Sequence, residues 1–347
     1  MGDFLIYGAN GYTGELITRF AAERGLKPLL AGRNAEKIGA LAKRYGFAHR
    51  VFDLGETEKL DAALGEVATV LHCAGPFSLT SAKMVEACLR TKTHYTDITG
   101  EIAVFEATAA RDGAAQDAGV MLMPGVGFDV VPSDCLARHL KDRLPSATRL
   151  TLAFYGLGKI SHGTQATMTM NVGRGGAIRE DGVIVEVPAA WKTREIDFGE
   201  TVETGVTIPW GDVATAFYST GIPNIEVYTI VPEPQLRLLR LSRYLGWLLA
   251  TAPVQRILQK QIPAGGPSDA ERAAGRTYLW GEAADDAGNR VESRQKGAEG
   301  YTLTALTALK ITEKILAGNF RAGFQTPARA YGADLILEIE GVERTDV

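Results

Sequence analysis

The sequence predicts an α/β fold in which an amino-terminal parallel sheet is followed by a strand-rich second domain. Three observations predict it. Short apolar runs alternate with helical segments through the first third of the chain. Three glycines, Gly8, Gly11 and Gly14, stand directly behind the first apolar run in "FLIYGANGYTG". After "PGVGFDVVPSD" (124–134) the rhythm changes to longer alternating runs. Alternation of the first kind builds βαβ units and a parallel sheet covered on both faces.

The elements follow in order. "DFLIYG" (3–8) is a strand, and 11–24 a helix with Leu16, Ile17 and Phe20 at helical spacing. Strands at 27–32, 48–53 and 67–75 alternate with helices at 34–45, 56–64 and 79–90. Strands at 93–98 and 119–125 flank a helix at 102–118. A further helix starts at Ser133 or Asp134 and ends at Arg143. Strands are then expected at 149–156, 182–188, 206–221 and 224–231. Residues 234–262 read as helical and basic on one side, interrupted by Pro253. Residues 277–297 read as a hairpin turning at Asp286–Asn289, and 301–317 as a strong helix with Leu303, Leu306 and Leu309.

Composition narrows the function. The 347 residues carry a formal net charge of -4, so no basic excess exists to neutralise a nucleic-acid backbone. Cys73, Cys88 and Cys135 are far apart and form no Cys-x-x-Cys pair. A disulfide framework and a thiolate metal site are therefore not expected, and a reducing, cytoplasmic setting fits. Strand-like text begins at Phe4, leaving no room for a signal peptide. Met1-Gly2 invites a myristoylation reading, but Ile6 stands where that signal needs Ser or Thr. The apolar run at 244–254 is short of the ~20 residues that span a bilayer.

The glycine loop is the first candidate site. A strand ending at Gly8 and a helix starting near Gly11 would point backbone N–H groups, and the positive end of a helix dipole, at an anion. Gly8 permits the tight turn, Gly11 the close approach of a pyrophosphate, and Gly14 the packing of helix on strand. Asn10 and Thr13 add side-chain hydrogen bonds at the mouth. The spacing Gly-x-x-Gly-x-x-Gly is looser than the usual fingerprint, and a purely structural turn is the alternative. The second strand ends in "LLAGRN" with no carboxylate for a ribose hydroxyl. Arg33 there offers a guanidinium for a 2′-phosphate, which favours NADP over NAD. Asp53, behind the third strand, either meets the adenine or caps the next helix. Ala74, Gly75 and Pro76 bend the chain behind the fourth strand, at the sheet edge where ligands sit.

Hydride transfer also needs an acid or base beside the reacting bond. Tyr95 and Asp97 share one face of the fifth strand at i, i+2, and Asp129 follows the sixth. His162, on a glycine-rich turn, is a further candidate. The plainer roles are a turn cap for Asp97, a helix N-cap for Asp134, and packing or backbone contacts for His72 and His94. "YGLGK" (155–159) imitates a Tyr-x-x-x-Lys catalytic pair, but Gly156 and Gly158 oppose the helix that pair requires.

"GANGYTGEL", "AGRN", "CAGPF", "HYTDITGE", "PGVGFDVVPSD" and "GFQTPARAYG" together resemble the saccharopine dehydrogenase-like oxidoreductases, and within them the trans-acting enoyl reductase group. The resemblance is strongest over 1–135 and returns at about 268–335. It implies a Rossmann-type domain, an inserted mixed α/β substrate domain, and a C-terminal helix returning to the first domain. The corresponding boundaries are 1–132, 133–300 for a substrate or dimerisation domain, and 301–347. It implies NADP held by Gly8, Asn10, Gly11, Tyr12 and Thr13, with Arg33 at the 2′-phosphate and Ala74, Gly75 and Pro76 on the nicotinamide side. It also places Tyr95, Asp97 and Glu101 where the fifth strand meets the cleft.

The substrate is read from the middle of the chain. A tricarboxylate would need clustered cations, and Arg174, Arg179, Lys192 and Arg194 are scattered. Residues 236–262 instead interleave Leu, Tyr and Trp with Arg237, Arg240, Arg243, Arg256 and Lys260. Such a segment can meet a membrane surface or a greasy substrate, and an interdomain or homodimer helix is the alternative. The expectation is hydride transfer to a C=C or C=N bond of an apolar or lipid-linked small molecule. A saccharopine-type amino-acid dehydrogenase and a non-catalytic dinucleotide sensor are the competing readings.

Overall fold

The computed structural model describes residues 3–156, 175–234 and 265–347, with isolated positions between these stretches. Lys159, His162, Arg174 and most of 236–262 lie outside the described residues. The chain divides into two compact units, Met1–Val131 with Tyr301–Ala330, and Pro132–Gly300 with Tyr331–Val347.

The first unit is a parallel sheet. Its strands are β1 (Leu5–Tyr7), β2 (Leu29–Gly32), β3 (His49–Val51), β4 (Thr69–His72), β5 (His94–Asp97) and β6 (Met121–Met123). They lie in the order 3-2-1-4-5-6, and a late strand, Gly323–Phe324, extends the sheet beyond β6. Every neighbouring pair is parallel. This is the Rossmann order, with its switch point between β1 and β4. The helices are α1 (Tyr12–Glu23), α2 (Ala35–Tyr45), α3 (Thr57–Leu64), α4 (Phe77–Thr91), α5 (Ile102–Ala109) and α6 (Asp112–Ala118). β1, β2, β4, β5 and β6 are buried at every residue. A sheet covered on both faces explains why they read as continuous apolar runs. The helix Gly300–Leu316 belongs to this unit, and its Thr307 hydroxyl donates to Val126 O.

The spacing at Gly14 is a packing constraint. A Cβ there would lie 2.4 Å from Gly8 O, so α1 could not keep its place. Gly14→Ala is expected to destabilise the fold by ~1–3 kcal/mol in urea unfolding. Gly39→Ala, within α2 where a Cβ would meet only His49 Nε2 at 3.9 Å, is expected to gain ~0.5–1 kcal/mol.

The second unit is built on a nine-stranded mixed sheet. Its main path runs Thr193–Asp197, Val202–Thr207, Asn224–Ile230, Arg149–Gly156, Arg276–Ala284, Arg290–Ala298 and Glu343–Asp346. Asn224–Ile230 and Arg149–Gly156 pair parallel, and the other pairs are antiparallel. The helix Val131–Arg143 lies across one face, its Leu136 and Leu140 filling the space a side chain at Gly281 would need. The opposite face carries Ile196, Phe198, Tyr228, Tyr278 and Trp280 in one cluster.

Several elements differ from expectation. The strand expected over 206–221 stops at Thr207, and Asp212–Thr220 is a helix closed by Gly221 at φ +70°. Pro209 interrupts the strand, and the apolar residues beyond it follow a helical period. Gly176–Glu180 pairs with Val183–Val187 in a hairpin whose turn residues, Asp181 and Gly182, both have positive φ. That is an Asp-Gly turn of the kind that matches strand twist. The helix expected over 102–118 is two helices, and Val131–Arg143 starts before Ser133, which puts Asp134 inside the helix rather than at its cap. There the Asp134 carboxylate accepts from the Ser219 hydroxyl. The expected return of 301–347 as one piece is also corrected. Residues 331–347 belong to the second unit, because Glu343–Asp346 completes its sheet beside Arg290–Ala298.

Candidate functional site

The candidate residues of the first unit gather at the carboxyl ends of its strands, where an open α/β sheet binds ligands. Gly8 leaves β1 at φ +84°, a conformation that suits only glycine well. A Cβ at Gly8 would also lie 2.9 Å from Ala74 Cβ, so the turns behind β1 and β4 touch across the switch point. Gly11 N donates to Gly8 O and closes the turn. A Cβ at Gly11 would meet only Gly8 O, at 3.3 Å, so the space before it is open. Gly11 precedes α1 and no side chain caps that helix. Gly11, having no side chain, offers α1 no N-cap acceptor of its own.

The neighbouring helix start is different. Glu101 accepts from Phe77 N at 2.7 Å and Ser78 N at 3.0 Å, filling the amino terminus of α4 with its carboxylate. Expected to meet the cleft, Glu101 thus caps a helix 24 residues upstream. The amino terminus of α1 has no N-cap side chain, whereas that of α4 is filled by a carboxylate.

Asn10 lies over the end of β2, where its Oδ1 would be 2.9 Å from a Cβ at Gly32. Asn34 caps α2 by accepting from Lys37 N, which leaves Arg33 as the free-standing side chain of "GRN". The Arg33 side chain is 78% exposed, and its guanidinium stands 3.8 Å from the Asp53 carboxylate. Asp53 itself accepts from Gly55 N and so shapes the turn before α3. Below it, the Tyr7 hydroxyl donates to Phe52 O, and burial with the Asp53 charge pushes its pKa up to about 12.

The bend at Ala74, Gly75 and Pro76 has a cis bond between Gly75 and Pro76. Thr80 Oγ1 reaches back to Ala74 O at 2.8 Å and Pro76 O at 3.1 Å. His72 precedes the bend, fully buried, with its ring 5.5 Å from Tyr7 and 5.4 Å from Phe77. Burial holds its pKa down at about 3, so the ring is neutral. His94 takes a backbone role, its Nδ1 accepting from Met121 N at 3.0 Å.

Tyr95 and Asp97 meet, but not at a solvent-facing surface. Both are fully buried, and the Tyr95 hydroxyl donates to Asp97 Oδ2 at 2.5 Å. Asp97 Oδ1 accepts from Thr99 N and Gly125 N, so the carboxyl braces the turns behind β5 and β6. Burial raises the Asp97 pKa to about 6 against the pull of these donors, and burial with the Asp97 charge raises that of Tyr95 well above the phenol range. The expectation that the pair reaches the cleft is corrected by this geometry. Tyr95→Phe is expected to cost ~1–3 kcal/mol of stability through the donor lost by Asp97, with NADPH affinity unchanged by calorimetry.

Asp129 is placed differently. It is partly exposed, accepts no hydrogen bond and makes no ion pair among the described residues. Its Oδ2 would lie 2.9 Å from a Cβ at Gly100, so it crosses the turn behind β5. Desolvation raises its pKa to about 7. The helix Gly300–Leu316 fixes the loop that carries it, because Thr304 Oγ1 accepts from Phe128 N at 3.0 Å. The same helix brings Tyr301 edge-on to Tyr12, with ring centroids 5.1 Å apart.

Of the cationic residues considered for a carboxylate substrate, the described ones are engaged within the second unit. Lys192 pairs with Glu226, Arg194 with Glu282 at 2.9 Å, and Arg179 donates to Val213 O and Gly182 O. No group of His, Cys, Asp and Glu suited to a metal ion occurs among the described residues, and no helix among them is long and apolar enough to cross a membrane.

Three comparisons bear on these residues. The family model for the saccharopine dehydrogenase NADP binding domain matches residues 4–123. Trans-acting enoyl reductase of Mycobacterium leprae is 32% identical over 152 residues, which are 41% of this chain and 36% of that protein. Trans-acting enoyl reductase of Mycobacterium ulcerans is 28% identical over 149 residues, with the same two shares. The chain thus spans about a third of the length of the curated relatives it matches. Apo saccharopine dehydrogenase (L-Glu forming) from Saccharomyces cerevisiae superposes with a TM-score of 0.69 over 100% of both chains at 13% identity, a likeness of fold. Glycine turn, switch-point sheet and matched domain agree: residues 4–123 match the saccharopine dehydrogenase NADP binding domain, and the whole chain shares the fold of saccharopine dehydrogenase.

Proposed function

We propose that this protein is an NADP-dependent oxidoreductase that reduces a C=C or C=N bond of an apolar or lipid-linked substrate. One observation carries the cofactor. At the switch point the α1 terminus lacks a capping side chain, and the strand beside it ends in Arg33 with no carboxylate. The glycine turn and the helix dipole suit a pyrophosphate, and the guanidinium suits a 2′-phosphate. The matched NADP-binding domain over 4–123 supports the same choice. Gly8, Asn10, Gly11, Tyr12 and Thr13 would hold the pyrophosphate half, and Ala74, Gly75 and Pro76 the nicotinamide half. Bound there, NADPH supplies a hydride.

Asp129 supplies the proton in this reading. A carboxyl titrating near neutrality with no partner among the described residues is suited to give a proton to the carbon or nitrogen left negative by hydride addition. Asp97, whose oxygens are occupied by three donors, keeps Asp129's loop and its own in place. The apolar substrate rests on two features. Lys192, Arg194 and Arg179 have partners already. Leu79 stands 68% exposed in the first turn of α4, just past the bend. The likeness to trans-acting enoyl reductases favours C=C over C=N.

Calorimetric titration with NADPH and NADH tests the cofactor, and loss of NADPH absorbance with a panel of enoyl thioesters and imines tests the reaction. Tighter NADPH binding by tenfold or more, with turnover of an enoyl thioester, is the expected result. No heat from either nucleotide would sink the proposal.

A further inference from the structure

The bend at Ala74–Pro76 is expected to meet the nicotinamide half of the cofactor, yet nothing so far explains what sets its carbonyls. The answer lies in counting protons around Thr80. Its Oγ1 is within hydrogen-bond range of three atoms: His72 Nε2 at 3.0 Å, Ala74 O at 2.8 Å and Pro76 O at 3.1 Å. The two carbonyls can only accept. Thr80 has one proton, and the shorter contact takes it to Ala74 O, with Pro76 O as a second, longer acceptor. The Thr80 oxygen is then an acceptor toward His72, and His72 must donate from Nε2.

The other ring nitrogen agrees with this assignment. His72 Nδ1 is buried with no hydrogen-bond partner among the described residues. A proton placed there would be a buried donor with nothing to receive it, whereas a bare lone pair is the less costly state. The ring is neutral, so it carries one proton, and that proton belongs on Nε2. Tyr7, Phe77 and Tyr95 lie around the ring, with centroids at 5.5, 5.4 and 6.4 Å.

We propose that His72 and Thr80 are positioning residues for the cofactor, forming a one-way chain, His72 Nε2–H to Thr80 Oγ1–H to Ala74 O, that fixes the orientation of the bend. The inference rests on the reading that this bend faces the nicotinamide half of a bound dinucleotide. Three supports hold the bend from separate elements. The relay comes from β4 and α4, the Glu101 carboxylate anchors Phe77 N and Ser78 N, and Gly8 limits Ala74 from the β1 side. Of these the relay alone acts on the carbonyl of Ala74.

The test separates the two halves of the cofactor. NADPH and 2′-phospho-ADP-ribose, which lacks the nicotinamide, are titrated calorimetrically into the wild type, Thr80→Val, Thr80→Ser and His72→Gln. Valine keeps the shape of threonine without the hydroxyl, serine restores the hydroxyl, and glutamine keeps a donor near the position of Nε2. The expected result is a loss of about tenfold in NADPH affinity for Thr80→Val, as one hydrogen bond of about 1.4 kcal/mol implies. Affinity for 2′-phospho-ADP-ribose should be unchanged in all variants, and Thr80→Ser and His72→Gln should recover most of the NADPH affinity. Equal losses for both ligands, or NADPH affinity unchanged in Thr80→Val, would overturn the relay while leaving the proposed cofactor intact. A wild type that binds neither ligand would overturn the relay and the cofactor together.

Discussion

Asp129→Asn is expected to lower turnover by ~10²–10⁴-fold while leaving NADPH affinity unchanged, because the variant keeps the shape of the side chain and loses its transferable proton. The pH profile distinguishes a proton donor from a structural carboxyl. In the reducing direction the wild-type rate should fall as pH rises through about 7, where Asp129 ionises, and the Asn variant should lose that limb. A stability change of the same sense accompanies it. The folded pKa of Asp129 is raised above its unfolded value, so the folded state holds the proton more tightly. Stability is then greatest below the unfolded pKa near 4 and declines as pH rises toward about 7. Asp97, raised to about 6 by burial, acts in the same direction. Asp129→Asn removes one of these charges and is expected to melt higher than wild type at pH 8. Solvent reaching the partly exposed carboxyl limits the gain to about 1–2 kcal/mol. Unchanged turnover in the variant would remove Asp129 from the reaction.

Arg33→Ala is expected to cost about 10–100-fold in NADPH affinity, the range for a charge-assisted hydrogen bond to phosphate. NADH affinity should not change, because that nucleotide carries no 2′-phosphate. Folding should not change either. Among the described residues Arg33 pairs with Asp53 alone, at 3.8 Å, and both side chains are largely exposed, so their attraction contributes little to stability. Asp53→Asn should raise NADPH affinity slightly, since a carboxylate near the guanidinium opposes an incoming phosphate. Both effects should shrink as salt screens the charges. Equal loss for NADPH and NADH would mean that Arg33 shapes the loop instead of reading the phosphate.

The first unit was legible because its signals are local. Strands buried on both faces leave unbroken apolar runs, and Gly8 and Gly14 sit where a turn and a close helix demand them. The hairpin near Asp286–Asn289 was equally local, and the structure turns it between Ala284 and Arg290. The misread parts depend on pairing or packing that sequence does not display. Residues 212–220 combine small, β-branched and aromatic side chains that suit a strand as well as a buried helix. The Asp181-Gly182 hairpin did leave a local signal, a turn dipeptide between apolar runs. In the site, the missing carboxylate behind the second strand singles out Arg33 as the residue to test for a 2′-phosphate. The contacts of Glu101, Thr80 and His72 leave no such signal, because they cross turns rather than follow spacings along an element. Tyr95 and Asp97 were misread for a related reason. An i, i+2 pair reveals a shared face but not whether that face meets solvent or core.

The strand Gly323–Phe324 has a consequence for synthesis on the ribosome. It pairs with β6, and Phe324 N donates to Asp112 Oδ1 across 212 residues of chain. Until that late stretch emerges, the backbone edge of β6 has no such neighbour, and an unpaired edge invites other strands. Nascent chains halted before residue 323 should therefore be sticky and depend on chaperones, whereas release of the last turns should coincide with the appearance of protease resistance in residues translated much earlier.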